Sequence, residues 1–125
     1  MGYRSDVTYV FYTRKQSVVP FPALKLWFEE NYPHKVATEE WGAQIEAGTD
    51  WIMVSYESVK WYSDYSHTQN VNAAIVKFNE TFEANDHDDV AWEMVEVGED
   101  LNDTQRDHSA YCDWRLDVER KIHFM

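Results

Sequence analysis

Cysteine is almost missing from this chain of 125 residues: Cys112 stands alone, so no disulfide can form within it. Glycine and proline are also scarce, four and three residues, which excludes a repetitive or linker-rich organisation. No apolar run approaches the roughly 20 residues that a membrane-spanning helix needs, and no apolar signal segment opens the chain. These absences predict a soluble intracellular protein without a membrane partner. Basic residues are few, 11 Lys and Arg against 23 Asp and Glu, for a formal net charge of −12. They are scattered, with neither a basic stripe nor a Gly-rich phosphate cradle, so direct binding to nucleic acid is not expected.

Aromatic residues are abundant. They make up 16% of the chain and run from Tyr3 to Phe124. A buried ring removes a large apolar area from water, so a chain of this length can build a real core as a single domain spanning 1–125.

The apolar spacing predicts the elements. Asp6–Thr13 is β-branched and aromatic and reads as a strand, with Val7, Tyr9 and Phe11 on one side and Val10 and Tyr12 on the other. Residues 23–31 read as a helix with Pro22 in its first turn, an apolar stripe of Phe21, Leu24, Trp27 and Phe28, and Pro33 as its stop. Thr38-Glu-Glu-Trp41 suggests the cap of a short helix carrying Trp41 and Ile45 inward and ending at Gly48. Asp50–Tyr56 reads as a strand, extended through Val59–Tyr62. Val71, Ala74, Ile75, Phe78 and Phe82 form the best helical stripe in the chain. Val90–Val97 is another strand, and residues 99–109 a polar connection. Trp114, Leu116, Val118, Ile122 and Phe124 alternate with charged residues, the signature of a half-buried final strand. Together these predict an α+β two-layer sandwich: a mainly antiparallel sheet of four to five strands with two helices on one face, ferredoxin-like in arrangement.

Chemistry is harder to find. Cys112 with His108 or His123 as base would make a nucleophile, but the surrounding acids raise a thiol pKa. Asp86-His87-Asp88-Asp89 and Glu99–Asp103 offer oxygen ligands for calcium or magnesium; the second run lacks the central Gly and terminal Glu of an EF-hand loop. No pair of carboxylates is singled out for acid–base work. We therefore assign no catalytic residue, no metal and no cofactor, and expect a protein that is not an enzyme. Tyr56, Trp61, Tyr62 and Tyr65 are candidates to line an aromatic pocket that stacks a small ligand or nucleotide base.

The acids themselves are the strongest signal. From Glu80 to Asp107 there are eleven carboxylates and one cation, Arg106, a formal −10 within a chain of −12. Such a field attracts basic protein surfaces and speeds encounter with them. Duplex DNA carries one charge per roughly 1.7 Å of axis, and a protein imitating it needs rows of carboxylates on one surface. The turns flanking Val90–Val97 would instead gather charge in a patch at one end of the sheet. Glu83, Asp86, Asp88, Asp89, Glu99, Asp100 and Asp103 are the expected partner-binding residues.

Met1-Gly-Tyr-Arg-Ser-Asp-Val7, Val59-Lys-Trp-Tyr-Ser-Asp-Tyr65, Trp92–Asp103 and Trp114–Ile122 together resemble a group of small acidic accessory proteins of tailed bacteriophages and prophages. That resemblance implies a phage protein at work in the cytoplasm of a bacterial host; it carries no catalytic residue with it. The combined expectation is a protein that binds a basic host protein through an acidic face. It would thereby inhibit nucleic-acid-handling or defence machinery by mimicking nucleic acid. The alternatives are a ligand-binding protein and a structural component of the virion, and a homo-oligomer is compatible with any of them.

Overall fold

The computed structural model describes residues 4–14, 17, 19–82, 89–99, 103–110 and 112–116. It is an α+β two-layer sandwich: a five-stranded antiparallel sheet with helices packed on one face. Along the chain come β1 (Ser5–Thr13), α1 (Phe21–Asn31), α2 (His34–Glu39), β2 (Gln44–Ala47), β3 (Trp51–Val59), α3 (Ser66–Phe82), β4 (Val90–Val97) and β5 (Thr104–His108). The spatial order is β2-β3-β1-β4-β5. Without β5 this is the ferredoxin-like order, with β1 at the centre, paired antiparallel with β3 and with β4.

The predicted parity of β1 holds and explains the two layers. Val7, Tyr9 and Phe11 point toward the helices, where they meet Leu24, Trp27 and Phe28 of α1 and Val71, Ala74, Ile75, Phe78 and Phe82 of α3. Phe11 is the hub: its ring lies 5.7 Å from those of Trp27, Phe28 and Tyr32 and 5.8 Å from Phe78. Burying a ring of this size contributes roughly 1.5–3 kcal/mol. Helix α1 starts from Pro20, whose fixed φ suits the entry, and stops because Pro33 pushes Tyr32 into extended backbone, ψ 135°.

Four expectations fail, each for a local reason. Thr38 does not cap a helix start. It lies near the end of α2, where its hydroxyl donates back to the carbonyls of His34 and Lys35. Gly42, in the left-handed region at φ 66°, breaks the chain there, so Ile45 sits in β2 and not in a helix running to Gly48. Strand β3 ends at Val59 and does not continue to Tyr62. The connection predicted for 99–109 contains β5, an edge strand of polar residues only, held by its ladder to β4.

The final strand also departs from expectation where it is described. Strict alternation places Trp114 inward and Arg115 outward; Trp114 is instead 56% exposed and Arg115 only 4%. A left-handed backbone at Trp114, φ 55°, breaks the alternation. Val118, Ile122 and Phe124 lie outside the described residues. Residues 112–116 form a strap on the sheet's second face, where Leu116 packs with Val10, Tyr12, Ala91 and Val95.

Glu93 fastens that strap. It is 3% exposed, and its carboxylate accepts from the Tyr12 hydroxyl and from the backbone N–H groups of Arg115 and Leu116, at 2.9 and 3.2 Å. A buried carboxylate is tolerable only with such a set of donors. The Arg115 guanidinium lies over the Tyr12 ring, 4.8 Å from its centroid, and reaches Asp50 at 3.2 Å.

Candidate functional site

Strand β4 decides where the acids go. Asp89 precedes it and Glu99 and Asp103 follow it, and eight extended residues span about 23 Å. The expected single patch at one end of the sheet is therefore not formed: the described members of the set divide between two ends. Glu83, Asp86, Asp88 and Asp100 lie outside the described residues.

The two ends hold their carboxylates differently. Near Asp89, Arg14 binds Asp113 at 3.1 Å and Arg115 binds Asp50. At the other end the backbone N–H of Gly98 donates to the Asp103 carbonyl, closing the β4–β5 hairpin and bringing Glu99 and Asp103 together. The β4–β5 register adds Glu96, opposite Gln105, and Asp107, opposite Met94, both on the helix-side face. Among the described residues no Lys or Arg side chain pairs with Glu96, Glu99, Asp103 or Asp107. The Glu96 carboxyl is pushed above its ordinary value, first by burial and further by Asp103, against a lowering hydrogen bond with Ser5. Arg106, the one cation of the acidic run, points to the second face and donates to the Leu116 carbonyl at 2.8 Å. It secures the strap and neutralises none of the four.

Glu93 and Glu96 lie on opposite faces of β4, as their parity predicts. Glu93 is consumed inside the fold, which removes it from any surface row of charge. Glu96 near the hairpin end and Asp107 at mid-strand extend the acidic face and were absent from the expected set; Asp107 was missed because the polar sequence 104–108 gave no sign of a paired strand.

The aromatic candidates divide as well. Tyr56 is fully buried: its hydroxyl lies 2.8 Å from that of Tyr32 and 2.8 Å from His67 Nε2. Trp61 packs against Tyr9, Trp41 and Tyr56 as part of the core margin. Tyr62 rests on Tyr65, ring centroids 5.4 Å apart. Tyr65 lines a depression, of about 460 Å³, between the end of α2 and the start of α3. Its other walls include Val36, Glu40, Trp41, Asp64, Ser66 and His67. His67 could have been found in the sequence: it extends the α3 stripe one turn back from Val71, a polar residue on an apolar row.

Burial also pushes the Cys112 thiol above its ordinary value, and Glu93 and Asp113 add to this. His108, its nearest candidate base in sequence, faces Trp114 and uses Nδ1 on the Ser109 carbonyl. His123 lies outside the described residues. Among the described residues no group of three or more His, Cys, Asp or Glu is placed to hold a metal ion, and no helix is long and apolar enough to cross a membrane. No protein-family model matches the chain, and no curated protein or solved structure matches it either.

Proposed function

We propose that this is a phage-encoded accessory protein, without catalytic activity, that binds the basic surface of a bacterial host protein through the hairpin end of its sheet. The observation that carries the reading is the absence of cationic partners for Glu96, Glu99, Asp103 and Asp107 among the described residues, in a fold that pairs its acids at the opposite end. Three of the four accept hydrogen bonds, Glu99 from the Arg4 backbone N–H, Asp107 from that of His108 and Glu96 from Ser5, but no cationic side chain offsets their mutual repulsion, and a basic partner relieves it. The resemblance of the Met1–Val7, Val59–Tyr65 and Trp92–Asp103 segments to small acidic phage proteins supports the host cytoplasm as the setting.

The target class best suited to such a surface is nucleic-acid-handling or defence machinery with a basic groove. Full mimicry of a duplex is not needed for this, and the inward turn of Glu93 argues against a continuous row. A compact acidic tip would instead occupy part of a groove. Affinity capture from bacterial lysate at low and high salt, followed by elution with duplex DNA, tests it. The expected result is a nucleic-acid-binding protein captured at low salt and displaced by both salt and DNA. Capture insensitive to both would refute it.

A further inference from the structure

The edge of the sheet opposite the hairpin is β2. The backbone N–H of Gly48 donates to the Trp51 carbonyl, which sets the phase of the β2–β3 ladder. Gln44 and Glu46 then bond to β3, and the N–H and C=O groups of Ile45 and Ala47 point away from the sheet. No described residue bonds to these four groups. Edge strands are commonly blunted by lysine or proline, and Gln44-Ile-Glu-Ala47 has neither.

The side chains of the same two residues stand beside a depression. Ile45 lies opposite Val54 and Ala47 opposite Ile52, both of the helix-side core, so Ile45 and Ala47 face the helices. With Phe28 of α1 and Ile52 they give apolar walls to a depression of about 480 Å³ between β2 and the helices α1 and α2. Beside them stand Lys25, Lys35 and Glu29. No ion pair joins either lysine to a carboxylate among the described residues. Two cations against one acid reverse the balance of a chain with 11 Lys and Arg and 23 Asp and Glu.

We propose that the β2 edge takes an added strand from an acidic partner peptide, apolar at one position and acidic two residues to either side. The peptide backbone bonds to Ile45 and Ala47. Alternate side chains of a strand share a face, so its apolar residue and both acids fall on the helix side, over the depression and in the field of Lys25 and Lys35. The intervening residues share the other face with Glu46, which favours neutral ones there. A second copy of the chain fits worse. The two-fold register that uses Ile45 and Ala47 of both copies sets the two Glu46 side chains directly opposite, between chains that each carry −12.

Titration of the full chain with acetyl-Glu-Thr-Leu-Thr-Glu-amide, followed by NMR, tests the assignment. The Ile45 and Ala47 amide hydrogens should shift and become protected from exchange, while those of Gln44 and Glu46, already bonded to β3, should change little. Peptides with lysine in place of both glutamates, or serine in place of leucine, should each bind about tenfold more weakly or worse. Lys25→Gln with Lys35→Gln alters two exposed side chains and should weaken the acidic peptide by about tenfold with the fold intact. Equal binding of either control peptide, Ile45 and Ala47 amides that stay unmoved or unprotected, or an unaffected double variant would overturn the proposal. So would a dimer without peptide whose Ile45 and Ala47 amides are already protected, since the edge then belongs to a second copy. The hairpin lies at the other edge of the sheet, so none of these results bears on its capture of a basic protein.

Discussion

At one end of the sheet carboxylates hold the protein together; at the other they are left without cations. Asp50 and Asp113 meet Arg115 and Arg14, and Glu93 anchors the strap from within. Glu96, Glu99, Asp103 and Asp107 sit on the hairpin without a cation among the described residues. The lesson is that an excess of acid in a sequence is two populations in space. One is tied into ion pairs and backbone donors, and the other is left without cations to meet a partner.

The largest effect should come from the structural population. Glu93→Gln replaces an acceptor with a group whose NH₂ faces donors, and should cost about 1–3 kcal/mol in urea unfolding. A loss within about 0.5 kcal/mol, as for a surface residue, would mean that the strap does not depend on it. Arg115→Met should cost about 1 kcal/mol, chiefly through lost contact with Tyr12, since Asp50 is partly exposed and its ion pair is screened. A double-mutant cycle with Asp50→Asn should accordingly show weak coupling.

Next in size is a pH effect away from both ends. His67 has a folded-state pKa below its ordinary value of 6.5, because burial disfavours the charged ring. The unfolded chain then takes up a proton first as pH falls, so stability declines below about pH 6.5 until the folded ring also protonates. His67→Gln should flatten the stability profile between pH 7 and pH 5, measured by urea unfolding; an unchanged slope would mean that His67 is not its source. The smallest effect belongs to Glu96. Its raised folded-state pKa means that stability is fullest below the ordinary carboxylate range and is lost as pH rises through the raised value. Glu96→Gln should therefore give a slightly higher Tm than the parent at neutral pH and an equal one in acid. A lower Tm at neutral pH would show that the carboxylate is compensated after all.

The centre of this fold is legible in the sequence and its margins are opaque. β1, α1, β3, α3 and β4 carry apolar residues at the period of their own geometry, so the inward positions of Phe11, Trp27 and Phe78 follow from spacing alone. β5 does not follow, because Thr104–His108 has no apolar residue and is paired only through its backbone. β2 is four residues long and offers just two apolar positions, Ile45 and Ala47. The strap escapes the pattern because one left-handed residue, Trp114, reverses the parity of the alternating sequence around it. The division of the acids, by contrast, is implicit: two turns joined by one strand of eight residues lie at opposite ends of it. Their chemistry is not, since nothing local shows that Arg14 and Arg115 serve one end alone.

The decisive comparison is affinity capture from bacterial lysate with two neutralised variants beside the parent. One carries Glu99→Gln, Asp103→Asn and Asp107→Asn at the hairpin; the other carries Asp50→Asn and Asp89→Asn at the opposite end. The hairpin variant should lose the salt-sensitive partner, while the other variant retains it. Loss of the partner by the second variant with retention by the first would contradict the assignment of the binding surface to the hairpin.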